Sequence, residues 1–70
     1  MATGRVKFFN VERHFGFIIP DDQPREDIFV HGTDIQYTDF LLPHQRVTYD
    51  LVLNARNGRP KAGNVTLLDD

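Results

Sequence analysis

The sequence predicts an all-β domain in which five short strands close into a small barrel. Three observations carry this: short runs of alternating apolar and polar residues recur at close spacing, turn-forming residues separate them, and no helical period is sustained. A chain of 70 residues is expected to form one domain, 1–70, that buries a limited fraction of its surface. At this size closure is favoured over an open sandwich, because it removes the exposed strand edges that invite aggregation.

The first strand is predicted from Gly4 to Asn10, with Val6, Phe8 and Phe9 interleaved with Arg5 and Lys7. Strict alternation puts Phe8 on the same face as Val6. A short turn, Asn10 to His14, leads into a second strand from Phe15 to Pro20, and two strands so joined pair most economically antiparallel. The proline ends the run because it cannot donate to a ladder. After the polar connection Asp21 to Asp27 comes a third strand, Ile28-Phe29-Val30-His31, with Ile28 and Val30 inward and Phe29 and His31 outward. Thr33 to Gln45 is irregular. Arg46 to Leu53 alternates again, which makes it a half-buried strand with Val47, Tyr49, Leu51 and Leu53 on one side. Asn57-Gly58 supplies the dipeptide that best tolerates the positive φ angles of a hairpin turn, and Lys61 to Leu68 is the fifth strand.

Arg13-His14-Phe15-Gly16-Phe17-Ile18 is the stretch richest in chemistry. In an extended strand Arg13, Phe15 and Phe17 share one face while His14, Gly16 and Ile18 take the other. A cation beside two rings suits a ligand with flat bases and a charged backbone. The same rings would serve equally as the core of a small barrel, and the hexamer alone leaves both readings open. Gly16 marks a bend or the close approach of another backbone.

The formal net charge of −2 is opposite in sign to the usual footprint of a nucleic-acid partner. The charges are segregated, however. Acids gather in Asp21, Asp22, Glu26 and Asp27 and in Asp69 and Asp70, while Lys7, Arg13, Arg56, Arg59 and Lys61 sit beside aromatic strands or in a glycine-containing loop. Such segregation permits a locally positive face on an acidic protein.

Several classes of function are disfavoured. The chain has no cysteine and no serine, so there is no disulfide, no thiolate metal site and no activated nucleophile of the usual kinds; an enzyme with a small-molecule substrate is not expected. The histidines are His14, His31 and His44, and no compact histidine and carboxylate spacing suggests a metal, so no metal or other cofactor is expected. No apolar run approaches the roughly 20 residues that span a bilayer, and no signal-like start is present. A cytoplasmic monomer without a membrane partner is the expectation.

Gly4-Arg5-Val6-Lys7-Phe8-Phe9-Asn10, Phe15-Gly16-Phe17-Ile18, Asp27-Ile28-Phe29-Val30-His31, Gln45-Arg46-Val47 and Ala62-Gly63-Asn64-Val65 together resemble the bacterial cold-shock protein family, in order and nearly end to end. The first aromatic strand resembles its RNP1 motif and the Phe-Val-His strand its RNP2 motif. The resemblance implies a five-stranded antiparallel barrel of the OB type that binds single-stranded RNA or DNA, many family members being RNA chaperones. It implies a binding face at Lys7, Phe8, Arg13, Phe15, Phe17, Phe29 and His31, and a core at Val6, Ile18, Ile28, Val30, Ile35, Val47, Leu51 and Val65. Exposure of Phe8 then requires a bulge or strong twist after Lys7. Phe40 or Tyr37 matches a loop aromatic that stacks on a base, and Arg59 with its loop neighbours is a candidate for backbone contact. The chain departs from the family pattern at Phe8, usually tryptophan, at His14, commonly glycine, and at Gly32, often aromatic. An OB-type barrel that binds protein or oligosaccharide is the alternative, using the same rings without needing the cations.

Overall fold

The computed structural model describes residues 2–23 and 25–68, so Asp69 and Asp70 lie outside the described residues. Among the described residues five strands follow one another, β1 (Ala2–Asn10), β2 (Phe15–Pro20), β3 (Ile28–His31), β4 (Arg46–Leu53) and β5 (Pro60–Leu67), with a 3-10 turn at Gly32–Asp34 after β3. They close into a barrel in the spatial order β1-β2-β3-β5-β4. β1, β2 and β3 form an antiparallel meander, β4 returns to lie antiparallel to β1, and β4 and β5 form a hairpin.

One pair departs from the expected antiparallel pattern. β3 and β5 run parallel, with Phe29 opposite Lys61 and Val30 opposite Ala62. An odd number of strands closed into a ring cannot alternate direction all the way round, so at least one neighbouring pair must be parallel.

The core comprises Val6, Ile18, Ile28, Val30, Ile35, Leu41, Val47, Tyr49, Ala62 and Val65, with Ala2 and Phe9 packed against it. Full burial of an aliphatic side chain of this kind is worth about 1.5–3 kcal/mol. Leu41, from the irregular segment, is 1% exposed. Leu51 is the correction to the predicted core, at 61% exposure, and Leu53 is exposed as well. Among the described residues β1 covers β4 from Arg46 to Tyr49. At that point a bulge sets Asn64 and Val65 of β5 against Tyr49 alone, with Asn64 at φ 52°, and from Asp50 to Leu53 the strand's one neighbour among the described residues is β5. The end of the hairpin therefore projects beyond the barrel wall, and its leucines meet solvent.

Candidate nucleic-acid interface

The register of three strands assembles the aromatic side chains. Along β2 and β3, Phe15 stands opposite His31 and Phe17 opposite Phe29, while the intervening Gly16, Ile18, Ile28 and Val30 are buried. Alternation thus sends one set of residues to the core and the other to the outer surface.

Phe8 joins them through an irregularity in β1. Val6 is opposite Ile18, but Phe8 is opposite Phe17, so Lys7 is an extra residue with no partner of its own on β2. This bulge turns Phe8 away from Val6. Val6 is 1% exposed and Phe8 40%. Gly16 makes the bulge possible: a Cβ there would collide with the Phe8 carbonyl oxygen and stand 2.9 Å from both the Cα and the ring of Phe9.

The result is a cluster of four phenylalanines on one outer face. The Phe8 ring lies 5.5 Å from Phe17 and 6.5 Å from Phe15 between centroids. Phe15 stacks on Phe29 at 6.0 Å with an interplanar angle of 21°, and Phe17 meets Phe29 edge-on at 5.9 Å. Phe15 and Phe17 close the group at 6.3 Å. Phe15, Phe17 and Phe29 are half-buried by one another. Rings held in this manner keep a fixed shape before any ligand arrives, so ordering them costs little on binding.

Charge frames the rings. Lys7 Nζ pairs with Asp27 Oδ2 at 2.7 Å, an exposed contact of the kind worth little in water and readily exchanged. Arg13 is exposed and forms no salt bridge among the described residues. Its turn is fixed by Asn10, whose Oδ1 accepts from the backbone N–H groups of Glu12 and Arg13 at 3.0 and 3.2 Å. On the other side Arg59 and Lys61 join Phe17, Phe29, Asp27 and Asn54 around a groove of about 320 Å³. Lys61 Nζ also reaches Asp34 Oδ2 at 3.3 Å.

His31 sits at the edge of the cluster and caps the 3-10 turn. Its Nδ1 accepts from the Thr33 backbone N–H at 3.2 Å and lies 2.9 Å from the Thr33 hydroxyl oxygen. Acceptance at Nδ1 puts the ring proton on Nε2, leaving that nitrogen as a donor. Phe40 and Tyr37 are not brought into the cluster: Phe40 is 44% exposed, Tyr37 is 98% exposed, and neither takes part in the ring contacts among the described residues.

Some residues at the site escape a reading by alternation. Asp27 and Asn54 reach the groove from connections, and Lys61 reaches it through the parallel β3 and β5 pairing. A periodicity argument has no access to such neighbours across the sheet.

Residues 2–68 match the family described as the 'Cold-shock' DNA-binding domain. The chain is 40% identical over 67 residues to Cold shock protein CspA of Rhizobium meliloti, covering 93% of this chain and 96% of that protein. It is 44% identical over 70 residues to a cold shock protein of Arthrobacter globiformis, covering 97% of this chain and 100% of the relative. Cold shock-like protein CspG of Escherichia coli is 44% identical over 68 residues, 94% of this chain and 93% of the relative. With its five-stranded barrel, its outward aromatic cluster and these relatives along nearly its whole length, the chain belongs to the cold-shock domain family.

Proposed function

We propose that this protein binds single-stranded RNA or DNA by stacking bases on Phe8, Phe15, Phe17 and Phe29, with His31 at the edge and with Lys7, Arg13 and Arg59 meeting phosphates. The observation that carries the reading is the four-ring cluster on one outer face with cations on both flanks. Every base has a π-face, so such a surface takes bases with little regard to sequence, each ring contributing roughly 1–3 kcal/mol. Several modest contacts of this kind hold a strand open without fixing it, which is the behaviour of an RNA chaperone. Phe40 belongs to the proposal as an outlying ring, available to a strand that runs on past the cluster. The protein acts as a monomer in the cytoplasm, by binding rather than by catalysis.

Titration of short unstructured oligonucleotides, pyrimidine-rich and purine-rich, at several salt concentrations tests this. With about three phosphates neutralised, log K falls with log salt at a slope near −2 for a single strand. A slope of zero favours a protein- or sugar-binding barrel.

A further inference from the structure

Beside the aromatic cluster lies a second concavity, of about 380 Å³, bounded by Arg13, His14, His31, Gly32, Thr33 and Asp39. It adjoins the cluster through His31, which pairs with Phe15 across β2 and β3. Its size suits a small planar ligand. His14 is exposed and holds its backbone at φ 57°. That conformation is uncommon for a residue with a side chain, although histidine is enriched among the exceptions. A glycine would take it without strain. A side chain kept where glycine fits better directs attention to what the side chain does.

The answer lies in what His14 packs against. Gly32 is buried, and a Cβ built there would stand 3.3 Å from the His14 Cβ and 3.3 Å from the carbonyl oxygens of His14 and Asp39. The Gly32 N–H donates to the His14 carbonyl at 2.7 Å, which ties the two backbones together. Glycine at residue 32 thus lets the two backbones approach closely, with the His14 side chain at the rim of the concavity.

We propose that this concavity is a further nucleotide subsite, in which the His14 imidazole stacks on a base, His31 Nε2–H donates to that base's edge and Arg13 meets the adjoining phosphate. The proposal rests on the single-strand reading above. Its three groups differ in kind. His14 supplies a plane. His31 supplies a donor whose tautomer is set by Thr33 at Nδ1, and Arg13 supplies a charge that no carboxylate engages among the described residues. One nucleotide offers a matching plane, acceptors and an anion.

The test pairs thermal melting with fluorescence-anisotropy titration of a labelled oligothymidine on His14→Gly, His14→Phe, His14→Lys and, as a reference for the main face, Phe17→Ala. His14→Gly is expected to melt at or above the temperature of the parent protein, because glycine adopts the positive φ freely. It is expected to bind about fivefold more weakly or worse, the equivalent of one modest stacking contact. His14→Phe retains the parent affinity, and His14→Lys does not. Affinity of His14→Gly within about twofold of the parent, with Phe17→Ala weakened by a full stacking increment, overturns the subsite and leaves the main face intact. Equal restoration by lysine and phenylalanine overturns stacking at His14, since a charge would then suffice. If Phe17→Ala and His14→Gly both bind like the parent, the single-strand reading fails and the subsite fails with it.

Discussion

Lys7 decides the position of Phe8 by being one residue too many. Without that insertion Phe8 would follow Val6 inward, and the resemblance and the alternation pattern make opposite statements about it; the register shift between Val6 and Phe8 resolves them. Nothing in the identity of Lys7 announces a bulge, whereas Gly16, which receives it, is visible in the sequence as a site of close approach. At the same scale, Arg13 has no carboxylate partner among the described residues while Lys7 is paired with Asp27. Replacing Arg13 with glutamine should therefore flatten the salt dependence of single-strand binding by about 0.7 in slope, one phosphate's share. An unchanged slope in that variant would remove Arg13 from the interface. Tyr49 offers a test of the core. Burial pushes its hydroxyl above the ordinary tyrosine value of 10.0, and the carboxylates of Asp22 and Asp21 add to the shift. As pH rises, the unfolded chain then ionises first, so this contribution is present below about pH 10 and lost as pH climbs through the higher folded value. Urea midpoints measured from about pH 8 to about pH 11 should fall less for Tyr49→Phe than for the parent, and an equal fall in both would remove Tyr49 as the cause.

Among the elements, β2 and β3 were the most legible, because a two-residue period with aliphatic groups on one side and rings on the other reads directly as a strand with a core face. β1 begins two residues before its predicted start, at Ala2, since it pairs there with Tyr49 of a strand far away in sequence. Leu51 and Leu53 mislead for the same reason: their alternation with Asp50 and Val52 is genuine, but no strand among the described residues lies over them to make the apolar side a core. The irregular segment could not be resolved from its sequence because Leu41 is buried by tertiary contact, without any period. The junction of β1 and β2 is where a single atom should matter most. Gly16→Ala would place a methyl group against the Phe8 carbonyl and 2.9 Å from Phe9 Cα, both backbone. Overpacking of this kind costs about 1–3 kcal/mol, and each kcal/mol lowers the melting temperature of a domain this small by about 4–8 °C. A melt for Gly16→Ala that coincides with the parent's would show that β1 does not press on β2 as described.

At the scale of the molecule, closing five strands into a ring gathers residues from β1, β2, β3 and the β4–β5 hairpin onto one side. The odd strand number that forces β3 and β5 parallel also brings Lys61 opposite Phe29, and so sets a cationic loop against the rings. A net charge of −2 is compatible with the proposed partner because Arg13 and Arg59, which form no salt bridge among the described residues, stand beside the rings, while Asp21, Asp27 and Asp34 are each paired with a cation. The face can take bases only when they are unpaired, so an unstructured strand should outcompete a hairpin stem of equal length; equal affinity would count against stacking. The central claim is that the phenylalanine cluster is a binding surface and not a second core. The most direct measurement is thermal denaturation paired with oligonucleotide titration on Phe15→Ala and Phe17→Ala. The account predicts a folded domain that has lost roughly 1–3 kcal/mol of binding, with less damage to stability than the 3–5 kcal/mol typical of a buried phenylalanine cut to alanine. Variants that unfold, while their remaining folded fraction binds with the parent affinity, would contradict it.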